Sequence, residues 1–548
     1  VALDAPIETL VRSATYEVTG LSELARTLDA ARRGGRATLR WRHTVTAPVA
    51  EIAEPERVDR VGIYSPAIFP TPNVVVDLNA PVPATLFLVA GADSWARLAE
   101  GVDLSEHAVA CPAALPVPGA LPIDLSTDDA VLASLAAVDF SRFGAVVAVR
   151  DLEGSRSESF LADSVERDAL GELLFVVARE AYERVRAGTL ALAQLSLGAW
   201  SDGRLHPETG LYAGFIKSVA RELPRAMIKC VSTDATQLSA ALPQLAGELR
   251  HATPAEVFYR QGARHVHKLV PISRITRDGT PYLNENSVVV ATGGGRGVTA
   301  LMAEELLTRF GCSIVLFGRT DLTRHPQDVL AMDDAAFAAY EPQFYRAEIQ
   351  RRPERKMVDH KRAFAQLQAA HEIHRTLQRL SALPGRVEYI AVDITEADSV
   401  DGEIARLVAE RGRIDLVMHG AGVQTSVQLP KRKLGDWRRT LDTKLAGLRN
   451  LYLACRRYAP RPVHFHILTS AFSYFGNDGQ PDYGAANDAM NRLADSMGTN
   501  GHEHWTTIAW LAWDGIGMTR GSEYATLTKE RDSYPLGPAV GREIFGRL

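Results

Sequence analysis

From about Pro66 to Ile272 the chain alternates short, β-branched apolar runs with longer stretches in which apolar residues recur every three to four positions. The runs predict strands over Val74 to Val76, Thr85 to Ala90, Ala145 to Val149, Leu190 to Leu195, Ala226 to Val231 and Ala255 to Arg260. The stretches predict helices over Ser164 to Arg186, Leu211 to Glu222 and Gln237 to His251. Strand, helix, strand in this rhythm marks a parallel α/β sheet. Residues 284–548 repeat it, so the expected fold is α/β with two doubly wound parallel-sheet subdomains, 61–280 and 281–548, joined near Pro271 to Pro281. Residues 1–60 form a leader without an assigned role, in which Arg32-Arg33-Gly34-Gly35-Arg36 reads as a solvated turn before a short strand.

The two halves differ at the turns that follow their strands. In the first, neither Val76-Asp77-Leu78-Asn79 nor Val89-Ala90-Gly91-Ala92 is glycine-rich. Backbone N–H groups there cannot approach a pyrophosphate closely, so this half is expected to be structural and to bind no nucleotide. The second half opens with Val288-Val289-Val290-Ala291, then Thr292-Gly293-Gly294-Gly295-Arg296-Gly297-Val298-Thr299, then a helical pattern from Ala300 to Phe310. Glycines between a strand and a helix aim the helix N-terminus at a phosphate, which makes this turn a nucleotide site. The next strand, Ser313 to Phe317, ends in Gly318-Arg319-Thr320. An acidic residue at such a strand end accepts from a ribose 2′-OH, whereas an arginine suits a 2′-phosphate. Arg319, with Arg296 as a second cation, therefore points to NADPH rather than NADH.

Composition narrows the partners. Of 548 residues 46% are hydrophobic and 23% charged, which excludes disordered, collagen-like and coiled-coil chains. Sixty-one Lys+Arg against 66 Asp+Glu give a net charge of −5, so no basic field draws nucleic acid or an anionic membrane. Cys111, Cys230, Cys312 and Cys455 lie far apart and form neither a disulfide framework nor a metal module. No apolar run approaches the roughly 20 residues of a membrane span, and Val1-Ala2-Leu3-Asp4 is neither a signal peptide nor an initiator start. The expectation is a cytoplasmic piece of a longer protein.

Four segments carry a resemblance: Thr292 to Val298; Val392-Asp393-Ile394-Thr395; His419-Gly420-Ala421-Gly422; and Leu468-Thr469-Ser470 through Gly479-Gln480-Pro481-Asp482-Tyr483-Gly484-Ala485-Ala486-Asn487. In order and spacing they resemble the short-chain dehydrogenase/reductase superfamily, and within it the ketoreductase domains of polyketide and polyunsaturated fatty acid synthases. Gly210 to Phe215 and Val257 to Pro271 resemble the silent, Rossmann-like structural subdomain that accompanies such domains. The resemblance implies NADPH-dependent reduction of a β-ketoacyl thioester carried by an acyl carrier protein, beside neighbouring synthase domains. Two other readings stand beside it, an idle scaffold domain and a free-standing alcohol dehydrogenase.

Reducing a ketone by hydride requires a group that polarises its oxygen and then protonates the alkoxide. A tyrosine hydroxyl, with a pKa of about 10, can serve if a cation stabilises its phenolate. By the resemblance Tyr483 is that acid, Ser470 binds the substrate oxygen, and Lys444 lowers the tyrosine pKa. Ordinary superfamily members carry lysine four residues after the tyrosine. Here that position is Asn487, the Lys/Asn exchange known in ketoreductases, and Asn487 would order water and the lysine in a proton relay. Thr469 and Ser473 compete with Ser470. The implied cofactor residues are Thr292, Gly293, Gly295, Arg296, Gly297, Val298 and Arg319, with Asp393 and Ile394 for the adenine. His419, Gly420, Ala421, Gly422 and Trp513 would meet the nicotinamide end, below a lid over about Gly515 to Leu536. Asp393 could alternatively cap the helix after it.

Departures from the family pattern are Thr299 in place of the last glycine, Val423-Gln424-Thr425-Ser426 after the His419 turn, and Phe475 where one stereochemical class carries Trp. Product stereochemistry is therefore unassigned. The helix-like end, Ala539 to Leu548, lacks the final strand expected after it. An insertion, residues 321–386, stands where a short crossover would suffice, with helices predicted over Asp334 to Arg351 and Glu354 to Leu383. Such an insert resembles the polyunsaturated fatty acid synthase type. Its His371-Glu372-Ile373-His374 is read as a solvated helix face and not a metal motif. His265/His267 and His464/His466 are read as structural.

Overall fold

A computed structural model describes residues 61–72, 74, 76–162, 164–272, 282–498, 503–517 and 535–547, and the backbone of strands Thr15–Val18, Thr38–Trp41 and Arg57–Val58. The chain divides into two compact units. One comprises Val1–Arg57, Gly62–Ser65 and Pro271–Arg274; in it Thr15–Val18 pairs in parallel with Thr38–Trp41. The Arg32 to Arg36 turn and most of the expected joint near Pro271 to Pro281 lie outside the described residues. The other unit comprises Val58–Val61, Pro66–Val270 and Ile275–Leu548, so most of 61–280 and all of 281–548 fall inside it.

The first half is built on a nine-stranded sheet of β1 (Tyr64–Pro70), β2 (Thr85–Leu88), β3 (Ala108–Pro112), β4 (Leu121–Ile123), β5 (Ala145–Asp151), β6 (Ala191–Leu197), β7 (Ile228–Thr233), β8 (Glu256–Arg260) and β9 (Ala263–Pro271). The order is β1-β9-β8-β7-β6-β5-β2-β3-β4, parallel from β4 to β8 and antiparallel between β8 and β9. Its central strands are apolar on both faces because helices cover both, as Val146 to Val149 and Leu86 to Leu88 illustrate. Four helices matter here: α1 (Ala92–Gly101), α2 (Val165–Glu180), α3 (Glu208–Glu222) and α4 (Leu238–Glu248).

Some expectations shift. Val74 and Val76 lie outside any strand. The helix expected over Ser164 to Arg186 breaks into α2 and a short turn of helix, Tyr182–Arg186, with Ser164 capping the start by accepting from Arg167 N (3.2 Å). β3 and β4 escape the sequence pattern because they are short and contain Pro112 and Pro122. At the β2–α1 turn the Glu166 carboxylate lies against Gly91, and Arg150 holds it at 2.9 Å while also pairing with Glu208 (2.6 Å). A carboxylate thus occupies the space over this helix start.

The second half is a six-stranded sheet of β10 (Val288–Thr292), β11 (Ser313–Gly318), β12 (Arg386–Ala391), β13 (Leu416–His419), β14 (His464–Ser470) and β15 (Trp505–Trp510). Its order is β12-β11-β10-β13-β14-β15, all parallel. The chain reverses direction across the sheet between β10 and β13, which opens a crevice at the strand C-termini. The helices are α5 (Gly297–Phe310), α6 (Asp334–Arg351), α7 (Met357–Ser381), α8 (Ala397–Arg411), α9 (Leu434–Leu441), α10 (Gly447–Tyr458), α11 (Pro481–Met497) and α12 (Pro538–Arg547). α6 and α7 lie in the insertion, after a short helix, Gln327–Leu330.

The halves meet where α3 crosses α11 at backbone contact. A Cβ on Gly210 would lie 2.7 Å from Asp488 O, and one on Gly214 would collide with the Gly484 backbone. Beside the crossing, Lys217 donates to Asp488 (2.8 Å) and Glu256 (3.0 Å), and Arg492 donates to Glu256 and Asp488, all buried. Trp437 of α9 stacks on Phe175 of α2 at 5.2 Å. The first half is thereby the bed on which α11 rests. Among the described residues no helix is long and apolar enough to cross a membrane.

Candidate active site

A cleft of about 660 Å³ lies at the C-terminal ends of β10, β11, β13 and β14. Gly293, Gly295, Arg296, Gly297 and Val298 line one wall. Gly293 (φ 72°) and Gly297 (φ 68°) adopt left-handed backbone, and a Cβ on Gly293 would come within 2.9 Å of Ala421. No side chain caps the start of α5, whose first N–H groups are left for an anion. Thr299 is accommodated because its hydroxyl fills the space over Gly420, where a Cβ would collide with it.

Thr292 and His419 lie beneath this wall as a strut. Ala421 N donates to Thr292 Oγ1 (3.3 Å), Thr292 Oγ1 lies 2.9 Å from His419 Nδ1, and His419 Nε2 lies 3.1 Å from the Lys444 carbonyl. A carbonyl only accepts, so Nε2 carries the imidazole proton and Nδ1 accepts from the threonine hydroxyl. Burial, assisted by the nearby Lys444 charge, lowers the His419 pKa to about 3 and keeps the ring neutral. The strut ties the turn Gly420, Ala421 and Gly422, which lines the cleft, to the backbone of Lys444.

Lys444 sits on a wide turn, Asp442–Ala446, whose i to i+5 hydrogen bond, Gly447 N to Asp442 O, adds a residue between α9 and α10. Its side chain is buried, with Nζ 5.3 Å from the ring centroid of Tyr483. Burial lowers its pKa to about 8. Tyr483 stands in the first turn of α11, where Pro481 suits the helix start. One turn on, Asn487 Nδ2 donates to Tyr483 O (2.7 Å), while its buried Oδ1 has no hydrogen-bond partner. Trp510 Nε1, in the cleft-lining residue Trp510, is likewise buried and unpartnered. These orphaned atoms, with the glycine cradle, fit a polar ligand or bound water in the cleft.

The hydroxyls around β14 separate by their partners. Thr469 donates to Asn491 Oδ1 (2.7 Å), Asn491 Nδ2 donates to Ser473 Oγ (2.7 Å), and Ser473 donates to Ser470 O (2.6 Å). Thr469 lines the cleft as well, but the hydroxyl protons of both rivals are committed to these partners. Ser470 Oγ accepts from Phe472 N (3.3 Å), which leaves its proton for a ligand, and Ser470 lines the cleft with Lys444 and Tyr483.

A buried lysine without a neutralising carboxylate weakens a fold. The depressed Lys444 pKa means that the unfolded chain binds the proton more tightly, so the penalty is full below pH 8 and fades as pH rises toward the unfolded value of 10.5. Lys444→Met is expected to stabilise the protein by about 1–3 kcal/mol at pH 7, after allowing for the lost contact with the Tyr483 ring. Urea unfolding at pH 7 and pH 9.5 measures it; a destabilised variant at pH 7, or a gain that grows with pH, contradicts the account.

Sequence reasoning missed the pair Arg432–Asp482. Arg432 is fully buried and donates to Asp482 (2.6 Å), to Gly479 O (2.5 Å) and to Thr425 O. Thr440 donates to Asp482 Oδ2 (2.9 Å), and Asp482 Oδ1 accepts from Tyr483 N (2.8 Å). Lys431-Arg432-Lys433 reads as a solvated charge run, and nothing local points to a carboxylate fifty residues away. Glu222 of α3 similarly accepts from Leu429 N (3.1 Å) and Gly479 N (3.2 Å).

At the other end of the cleft lie Arg319, Asp393 and Ile394. Asp393 Oδ1 accepts from Thr395 N (3.1 Å) and the Thr395 hydroxyl (2.8 Å), while Glu396 is the residue that precedes α8; Asp393 is therefore a turn residue and not the helix cap. Trp513 lines the cleft, edge-on to Trp510 at 5.1 Å. Of the expected lid, residues 518–534 lie outside the described ones. The solvated-face reading of His371 to His374 is corrected. His371 is buried and stacks on Phe337 at 4.0 Å, Ile373 is buried, and Glu372 lies 3.8 Å from Arg296. The periodic pattern of α7 gives no sign of the β10–α5 turn that covers this face.

The KR domain family model matches residues 287–515. One chain of the polyunsaturated fatty acid synthase of Thraustochytrium sp. is 25% identical over 242 residues, 42% of this chain and 8% of that protein. The short-chain reductase protein NovJ of Streptomyces niveus is 24% identical over 268 residues, 48% of this chain and 83% of that protein. Among solved structures an A1-type ketoreductase superposes with a TM-score of 0.63 at 18% identity, covering 88% of this chain and 90% of that one, a likeness of fold.

Proposed function

We propose, from the premise that residues 287–515 belong to the KR domain family of nicotinamide-dependent ketoreductases, that this chain uses NADPH to reduce a β-ketoacyl thioester, borne by an acyl carrier protein, to the β-hydroxyacyl thioester. The proposed setting is a larger synthase, as the names of its relatives suggest, and the proposed location is the cytoplasm. The observation that carries the reading is the Lys444 ammonium set against the Tyr483 ring in a cleft that also holds Ser470.

The bound cofactor supplies the hydride; the chain supplies everything that handles the oxygen. Ser470 and Tyr483 donate hydrogen bonds to the ketone oxygen and polarise it. Tyr483 then gives up its proton to the alkoxide, and the Lys444 charge stabilises the phenolate left behind. The unpartnered Asn487 Oδ1 accepts from water or the lysine ammonium, a route by which Tyr483 regains its proton. The His419 strut keeps the Lys444 backbone and the Gly420–Gly422 turn in register. Arg319 and Arg296 hold the 2′-phosphate.

Turnover of a β-ketoacyl N-acetylcysteamine thioester, followed by dinucleotide oxidation, tests this. The unaltered chain should prefer NADPH, and Arg319→Ala should raise the KM for NADPH about tenfold, the effect of one lost hydrogen bond to a charged group, with NADH little changed. Equal losses with both dinucleotides refute the 2′-phosphate role. Tight NADPH binding without any turnover favours the idle scaffold.

A further inference from the structure

We propose that the helical insertion is a working part of the dinucleotide site. Helix α7 walls the adenosine end of the cleft, and its Glu372 holds Arg296 until a 2′-phosphate displaces it. The proposal rests on the NADPH reading above and adds a residue that opposes phosphate binding.

One face of α7 enters the cleft, with Ala365, Gln368, Ala369, Glu372 and Ile373 at helical spacing, in the same lining as Arg319. The small side chains Ala365 and Ala369 leave room there. The face is held against the glycine turn, since a Cβ on Gly295 would lie 3.0 Å from Ile373 and 3.2 Å from Tyr389. Tyr389 in turn donates to Thr320 O (2.9 Å), fixing the loop that carries Arg319. The rotation of α7 is set from behind by the insertion's own core, where Phe364, Leu367 and Ala370 pack with Phe337, and His371 Nε2 meets Met332 O at 2.9 Å. Arg379 ties α7 to α5 by donating to Glu304 (2.9 Å).

Glu372 Oε2 lies 3.8 Å from Arg296 Nη1, and the arginine side chain is 60% exposed. A pair so open to water is weak and readily exchanged. A phosphate dianion offers the guanidinium fork more charge and bidentate geometry than the carboxylate does, so it wins Arg296 and leaves Glu372 facing a like charge. A ribose hydroxyl has no such claim and leaves the pair intact. Glu372 therefore weakens binding of the phosphorylated dinucleotide while leaving the other nearly unaffected.

Calorimetric binding of NADPH, NADH and 2′,5′-ADP to the full chain tests this. Glu372→Gln should tighten NADPH and 2′,5′-ADP by about threefold to fivefold, the range of an exposed ion pair, with NADH within about twofold. In an Arg296→Ala background the same substitution should gain clearly less, because the competition for the guanidinium is gone and only the like charge is relieved. An equal shift for NADPH and NADH, or a gain undiminished without Arg296, overturns the proposal while leaving the NADPH reading intact. Equal binding of NADPH and NADH by the unaltered chain, insensitive to Arg319→Ala, removes the 2′-phosphate reading and this proposal with it.

Discussion

Tyr483→Phe should lower the turnover of a β-ketoacyl thioester by about 10²–10⁴-fold, the usual contribution of a positioned general acid, while NADPH still binds. The substitution removes one oxygen and leaves the ring that Lys444 faces at 5.3 Å, so the start of α11 and the Asn487 bond to the Tyr483 carbonyl are kept. What the reaction loses is the hydroxyl, both as a hydrogen-bond donor to the ketone oxygen and as the source of the proton. Steady-state rates, with calorimetric binding of NADPH as control, decide it. A variant that retains most of its turnover would show that another group, with Ser470 the first candidate, protonates the alkoxide.

Arg432→Met should cost about 3–5 kcal/mol of stability, because it leaves Asp482 as an uncompensated charge in the interior. Even beside Arg432, burial holds the Asp482 carboxyl above its ordinary range. Without the arginine it rises further, and the folded state keeps a proton that the unfolded chain releases near pH 4. Stability of the variant then falls as pH rises from the unfolded toward the folded pKa, so its deficit is larger at pH 8 than at pH 5. Denaturant unfolding at both values tests the sign. Arg432→Met combined with Asp482→Leu should recover much of the loss, since an apolar pair of similar volume replaces the charges. A deficit that is independent of pH, or absent, removes the pair from its assigned role.

That pair also illustrates what was hidden. The glycine turn was legible in the sequence because strand, turn and helix are consecutive, and each signals itself by residue type within a few positions. The candidate set Ser470, Tyr483, Lys444 and Asn487 was found through the resemblance; taken singly each reads as an ordinary structural residue, and the wide turn and burial of Lys444 leave no local mark. Arg432 with Asp482, Glu222 with Gly479, and the glycine contact of α3 with α11 join residues fifty to nearly three hundred positions apart. Such pairings have no periodicity to betray them.

By itself the sequence determined the class of the fold, the half that carries a nucleotide turn, and the residue types available to the chemistry, because hydrophobic period and glycine placement act locally. Only the tertiary structure decided which hydroxyl protons are already committed: Thr469 donates to Asn491, which reaches it from the neighbouring helix, and Ser473 donates to Ser470 O. It also turned the insertion from a surface appendage into a wall of the site, because Gly295 leaves a gap that Ile373 fills. Both outcomes depend on which surfaces meet once β10, β14, α7 and α11 are stacked. That is a property of long-range packing, which no run of neighbouring residues contains.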